Sequence, residues 1–399
     1  MKSAPRKKAL IIGAGIGGLA TALFLQRIGW KVVLYEKKNT SSVFGAGIVM
    51  AANAMHVLDE LGLAQMVKQA GAKVGQADIR SWDGKAITSI PVSKQASLYG
   101  TYSYLVHRAK LQAILIEHLD EKTTLHVQKR MVSLAQNEHE VTVRFEDGTE
   151  DSGDIVIGSD GLHSDVANHL FGPLQLRYSG FTAFRGITSF MDPGYSLEVG
   201  GGFEAWGSGR RFGFSQLGEG QVYWFAAINA PPGTDMQNRK EHVLQQLKNW
   251  HPPIERVVQL TEGQSILKHD IYDRKPLDSW SKGRVVLLGD SAHPMLPNLG
   301  QGGAQAMEDA YVLASCLEKA ADTKLSKISD AFESYEKIRI PRANQVVRQS
   351  RNMARIVQLT NPVSIMVRNR LLSLVPDSVQ IKQLHWLLGH RIAHKERQE

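Results

Sequence analysis

Residues 284–310 read RVVLLGDSAHPMLPNLGQGGAQAMEDA and set an aspartate, a serine and a histidine directly after an apolar run. One chemistry for such a set is nucleophilic: a serine activated by a histidine that an aspartate orients. That relay needs the side chains in an extended line, which Asp290, Ser291 and His293, crowded into one loop, do not easily form. No G-x-S-x-G nucleophile elbow occurs elsewhere in the chain. The other chemistry is ligand holding. Asp290 falls at the C-terminal end of a predicted strand, where open α/β sheets bind ligands, and its carboxylate can take a hydroxyl of an extended polyol. Beyond it, Leu299, Gly300, Gln301, Gly302 and Gly303 form a turn that opens a helical pattern at Ala304. Backbone N–H groups and the positive end of a helix dipole are thereby exposed. On this reading Ser291 and His293 only support the turn.

A second glycine cluster lies near the start of the chain. GAGIGG places Gly13, Gly15 and Gly18 in the order G-x-G-x-x-G, with Ala14 and Gly17 between them, after an apolar strand and before a helix. Gly13 permits the tight turn, Gly15 lets a pyrophosphate approach the backbone, and Gly18 lets helix and strand pack closely. Glu36 ends the next strand, eighteen positions after Gly18, where a carboxylate can accept hydrogen bonds from both ribose hydroxyls of an adenosine. The motif does not separate NAD from FAD. The far Gly-Asp turn does, because a simple dehydrogenase has no use for it: Asp290 would take the ribityl chain, and the 299–303 turn the isoalloxazine edge that becomes negative on reduction.

These residues need a scaffold. ALIIG, AGIGG, LATALFLQRIG and KVVLYE read as a βαβ unit and imply a parallel sheet. GAGIVMAANAMHVLDELGL reads as a glycine loop leading into a helix, residues 72–103 as short antiparallel strands, and VTVRFEDGTEDSGDIVIG as a hairpin followed by a buried strand. From about 177 to 282 a period-two pattern with glycine punctuation predicts an antiparallel sheet interrupted by one helix, KEHVLQQLKNW. The fold class is therefore α/β with an inserted β domain. A Rossmann-like nucleotide domain is drawn from 1–71, 104–176 and 283–330, a substrate domain from 72–103 and 177–282, and a helical segment from 331–399.

Composition bounds the rest. With 399 residues, 43% hydrophobic and 22% charged, the chain can bury a large core and enclose a site. Its net charge of +8 is scattered, without a basic stripe interleaved with aromatics, which argues against nucleic acid and suits a field that collects anionic small molecules. One cysteine, Cys316, rules out an internal disulfide and fits a reducing cytoplasm. No apolar stretch approaches a membrane span. The C-terminal part is amphipathic and interrupted by Pro362 and Pro376, so short helices packing on the body are expected in preference to a segment lying on a membrane.

With these elements in order, the chain resembles the FAD-dependent aromatic hydroxylases, single-component flavoprotein monooxygenases that include salicylate hydroxylase-like, urate hydroxylase-like and zeaxanthin epoxidase-like enzymes. The resemblance spans residues 9 to about 340. It rests on GAGIGG with Glu36, GAGI at 45–48, Arg108 in VHRAKL, Asp160-Gly161 in IVIGSDGLHSDV, YSGFTAFRG at 178–186 and the opening motif. It implies FAD contacts at Gly13, Ala14, Gly15, Gly17, Gly18, Glu36, Lys37, Gly47, Val49, Arg108, Met131, Asp160, Asp290, Leu299, Gly300, Gln301, Gly302, Gly303 and Ala304. It also implies NAD(P)H as reductant, O2 adding at flavin C4a and oxygen transfer to an aromatic substrate; a monomer or homodimer is expected.

The inserted sheet should roof the cavity. Its polar candidates are Arg185, Arg211 and Tyr223, among the aromatics Phe184, Phe212, Trp224 and Phe225. A guanidinium there could pair with a carboxylate or an anionic heterocycle. Arg210 and Arg211 must point to opposite faces of a regular strand. The spacing of Arg211 and Tyr223 resembles the urate hydroxylase-like branch, whereas Ala183-Phe184-Arg185 departs from it, so an epoxidase or hydroxylase of a lipophilic polyene or quinolone-type compound stays open. So does a non-catalytic FAD-binding protein. A flavin halogenase is disfavoured because Trp-x-Trp-x-x-Pro is absent.

Overall fold

The computed structural model describes residues 7–39, 46–75, 77–90, 92–193, 201–234, 236–320 and 323–391. Gly45 of the second glycine loop lies outside them. The predicted βαβ unit forms: the strand Lys8–Ile12 runs into the helix Ile16–Arg27 and back through the strand Lys31–Glu36, with the two strands parallel. Four more strands extend this sheet in the order Ser281–Lys282, Val285–Leu287, Ile155–Gly158, Lys8–Ile12, Lys31–Glu36, Thr124–Val127. All pairings are parallel except that of the edge strand Ser281–Lys282. Burial on both faces explains why these strands are apolar runs rather than alternations.

The helix Ile16–Arg27 is buried from Ile16 to Leu25 because it is sandwiched between the sheet and the helix Gly302–Glu318. Gly17 lets the two helices touch: a Cβ there would stand 3.1 Å from Ala306 Cβ. The two glycine motifs, nearly 300 positions apart, are thereby held on one end of one layer. Elsewhere the second glycine loop continues as a short strand, Gly47–Met50, which joins Tyr104–His107 and Gly71–Lys73 in a separate small sheet.

The period-two region builds a seven-stranded sheet in the order Leu267–Arg274, Leu176–Ser189, Gln221–Asn229, Arg210–Gly218, Gly202–Trp206, Ala77–Ser81, Ala86–Ile90. It is antiparallel apart from the parallel pair Gly202–Trp206 and Ala77–Ser81. Two helices, Arg239–Gln246 and Ile254–Leu260, cover one of its faces where a single helix is expected from the sequence. Within 72–103 a helix, Val92–Tyr99, follows the short strands. The 33-residue helix Leu325–Val357 crosses behind the glycine turn and two shorter helices, Pro362–Ser373 and Asp377–Leu388, follow it. Among the described residues no helix is long and apolar enough to cross a membrane.

Candidate functional site

The first turn is closed on itself and open above. Gly13 has φ +103°, and its amide donates to Tyr35 O at 2.7 Å. A Cβ at Gly13 would meet Ser159 O at 2.4 Å, and one at Gly18 would meet Gly13 O at 2.0 Å. Over Gly15 there is nothing within 4 Å, and Gly15 caps the helix without a side-chain hydrogen bond. Unpaired N–H groups at the helix start therefore face open space, which is what an anionic pyrophosphate requires. Glu36 Oε2 accepts from Ala14 N at 3.0 Å and Oε1 from Lys38 N at 2.9 Å. Its carboxylate is thus clamped beside the turn, with lone pairs remaining for a diol. Lys37 is exposed next to it.

The second turn stands at the start of the helix that packs on the first turn's helix. Asp290 is exposed to solvent yet has protein closely packed around it. This burial pushes its carboxyl up from the ordinary value, against the pull of His293, Arg108 and Arg274. Arg108 starts the helix Arg108–Glu117 and is itself exposed. Gly300 takes a left-handed conformation, φ +62°, and has nothing within 4 Å of a built Cβ. Gly302 lies 3.9 Å from Asp290 Oδ1 on the same measure, and Gly303 rests against Ile48 and Met50 beside Gly47 and Val49. Near this turn buried polar atoms lack partners: both amide atoms of Asn298, Gln301 Nε2 and Asn53 Oδ1. Buried polar groups are seldom left so, and a ring edge rich in acceptors and donors would satisfy them. The residues present thus fit FAD in both halves. Met131 is 3% exposed, with its side chain in the core.

The opening loop makes no triad. Ser291 Oγ donates to Asp160 Oδ1 at 3.0 Å and accepts from Gly161 N at 2.9 Å. His293 Nε2 instead contacts Asp309 Oδ2 at 2.6 Å, a residue on the helix Gly302–Glu318. Asp160, raised in pKa by burial, is already engaged by Ser164 Oγ and Val166 N as well as Ser291. It ties the loop to the start of the helix Asp165–Phe171.

Behind the turn lies a buried ionic network that sequence reasoning does not single out. Arg339, fully buried, pairs with Asp309 Oδ1 at 2.7 Å and with Glu308 Oε2. Arg342 Nη2 reaches Glu308 Oε1 at 2.7 Å, and Asn53 Nδ2 bridges Glu308 (2.6 Å) and Gln301 Oε1 (3.1 Å). Burial would raise both acids, but the arginines outweigh it for Glu308, and His293 with Arg339 for Asp309, leaving each at about 2. Asp309 Oδ2 also accepts from Gly289 N at 2.8 Å, and Arg274 donates to Ser291 O and Ala292 O. The 289–292 loop and the first turn of the helix Gly302–Glu318 are therefore anchored by charge. The available signal was two adjacent acids inside the apolar run AQAMEDAYVL and an arginine in the apolar run IRIPRA.

On the seven-stranded sheet, register decides which side chains face the cleft. Arg185 stands opposite Phe225, Ile187 opposite Tyr223, and Arg211 opposite Ala227, so Arg185, Arg211, Tyr223 and Phe225 share one face. That face meets Leu296 of the glycine loop and Ala354, and Tyr223 packs on Gly47, where a Cβ would stand 2.7 Å from Tyr223 Cγ. Arg211, 4% exposed, lies 5.1 Å over the Phe225 ring and 3.6 Å from Glu204, with its Nε unpartnered. Burial raises the Tyr223 phenol, and Arg185 and Arg211 draw it back. Of the aromatic neighbours, Phe184, Phe212 and Trp224 do not share this face. They point the other way, into a core under the helices Arg239–Gln246 and Ile254–Leu260, because alternate residues of a strand take opposite faces. A separate concavity of about 410 Å³ beside Lys68, Tyr104 and Glu219 contains none of these groups.

A family model described as FAD binding domain matches residues 6–350. The chain belongs to this FAD-binding family. Its relatives include the Aurachin C monooxygenase/isomerase of Stigmatella aurantiaca, 37% identical over 92% of this chain and 94% of that protein. The chloroplastic zeaxanthin epoxidase of Nicotiana plumbaginifolia is 33% identical over 89% of this chain, which spans only 56% of that longer protein. Among solved structures, Klebsiella pneumoniae HpxO complexed with FAD and uric acid aligns with a TM-score of 0.85 at 26% identity, over 95% of each chain. The chain is accordingly an FAD-dependent monooxygenase, and the reading of a non-catalytic binding protein falls away.

Proposed function

We propose that this monooxygenase inserts one oxygen atom from O2 into a small, electron-rich, acidic heteroaromatic or aromatic compound of the urate or salicylate kind, using NAD(P)H. The reaction balances as substrate C–H, O2, NAD(P)H and a proton giving C–OH, water and NAD(P)+. The observation that carries the reading is Arg211: a buried guanidinium on the cleft face, with an unpartnered Nε, an aromatic ring beneath it and a neutral Tyr223 beside it. Such a fork recognises the oxygens of an acidic ring, and Phe225 gives that ring a flat wall. HpxO, with its uric acid complex, supports the same substrate class.

The backbone N–H groups at Gly15 and at 300–303, with Glu36, Arg108 and Asp290, would hold FAD. Bound there, FAD supplies the redox chemistry, taking two electrons from NAD(P)H and activating O2. The chain's own part is placement. Arg211 and Arg185 orient the substrate, Tyr223 keeps its proton and offers a hydrogen bond, and the small strand Gly47–Met50 closes the wall against water.

We assign the divided domains inferred above, with the seven-stranded sheet as the substrate half, and a cytoplasmic monomer or homodimer. A second reading, oxygenation of a lipophilic polyene or quinolone-type compound, is favoured by the names of the relatives at 37% and 33% identity. The deciding experiment measures NAD(P)H oxidation and 18O incorporation from 18O2 over urate, salicylate, hydroxyquinolines and a carotenoid. Labelled product from an acidic aromatic supports the first reading. Label appearing only in the carotenoid, or reducing equivalents lost entirely to peroxide, would overturn it.

A further inference from the structure

The helix Pro362–Ser373 is apolar on both sides. Its inner side, with Ile365 and Leu372, lies against the edge of the seven-stranded sheet, and Arg368 stacks 4.9 Å over Trp206. Its outer side carries Val363, Met366, Val367, Leu371 and, at the helix end, Leu374, each between 48% and 65% exposed. At about 100° per residue these five fall on one broad stripe, interrupted by Arg370. Ile356, 43% exposed, ends the preceding helix, and its carbonyl accepts from Arg368 Nη1, so it lies alongside. Contiguous exposed apolar side chains of this kind mark a contact surface rather than scattered surface residues.

The charge around the stripe selects the partner. From Lys337 to Pro376 the sequence holds no acidic residue and eight lysines and arginines. Arg339, Arg342, Arg351 and Arg368 are engaged inside the protein. Arg348, Arg355 and Arg370 are exposed, and Arg370 lies within the apolar stripe itself. A second copy docked face to face would oppose its own arginines across the contact. An anionic lipid surface satisfies both features: the apolar side chains enter the acyl boundary, and the arginines reach the headgroups on their flexible stems.

We propose that this helix docks the enzyme on the surface of a bilayer containing anionic lipid. The helix is also joined to the substrate wall: Trp206 Nε1 donates to Glu204 Oε2 at 2.8 Å, and Glu204 is the ion-pair partner of Arg211. Docking would therefore bring one side of the substrate wall to the lipid. The proposal is independent of which substrate is oxidised.

The test uses the FAD-loaded full chain with vesicles of phosphatidylcholine alone and of phosphatidylcholine with 30% phosphatidylglycerol, about a third of the lipid as in an anionic surface. Sedimentation should carry the wild type with the anionic vesicles, and raised salt should release it. M366E/L371E should abolish binding, and R355Q/R370Q should weaken it about five-fold or more per arginine, with FAD content and melting temperature unchanged in both. No sedimentation of the wild type, or variants that bind as it does, would overturn the proposal. So would a micromolar homodimer that M366E/L371E converts to monomer, because it would show a second copy covering the stripe.

Discussion

The flavin side and the substrate side of the cleft are built on opposite principles. Facing FAD, the groups that would touch the ligand are mostly backbone, and a buried set of charges, Arg339, Glu308, Asp309 and Arg342, ties down the backbone at Gly289 and Gln305 on either side of the second turn. On the proposed substrate side, the groups are side chains on a sheet face, and Arg211 has only the half-exposed Glu204 and a ring to hold it. A cofactor common to a family can be met by fixed geometry. A substrate that differs between relatives is met by replaceable side chains, which leave the sheet beneath them intact.

The comparison is broken most severely at Arg339. Arg339→Ala leaves Glu308 and Asp309 buried without their counter-charge, and we expect a loss of about 3–5 kcal/mol in chemical denaturation together with loss of bound FAD. A cost below about 1 kcal/mol would show that the flavin side is not locked by charge. The same network has an acid signature. Glu308 and Asp309 fall from ordinary values of 4.5 and 3.8 to about 2 in the folded protein. Their contribution to stability is full above the ordinary values and is lost as pH falls through them towards about 2. Unfolding followed against pH should show this loss, and it should be absent from an E308Q/D309N protein that still folds.

Smaller effects should separate the two sides. Gly18→Ala drives a Cβ onto Gly13 O and should release FAD at a cost of about 1–3 kcal/mol, read by flavin content after gel filtration. Arg211→Ala should leave flavin content unchanged and lower kcat/KM by about ten- to a hundred-fold, mostly through KM. The smallest contrast lies within one strand pair. Phe225→Leu should alter substrate KM with little change in melting temperature, whereas Phe212→Leu should lower stability by about 1 kcal/mol and leave KM alone.

Legibility in the sequence follows the same division. GAGIGG, Glu36 and the Asp290 to Gly303 turn are readable because a turn conformation and a close approach restrict the residue type locally, and each carries its meaning within a few positions. The strand Gly47–Met50 reads as loop because four residues are too few to show a period. The aromatics are less legible, since alternation assigns Phe184, Phe212 and Trp224 to one face and Phe225 to the other without saying which face meets the site. The role of Glu308 and Asp309 depends on Arg339, thirty positions away on another helix.

By itself, then, the sequence determined the nucleotide fold, the two glycine turns and the flavin chemistry they serve, because those features depend on local backbone freedom. Only the tertiary structure decided that Ser291 and His293 turn to Asp160 and Asp309, that Arg211 shares a sheet face with Arg185 and Tyr223, and that among the described residues the outer side of Pro362–Ser373 is exposed. These are properties of which surfaces meet, and packing between distant segments sets them rather than the order of residues along either one.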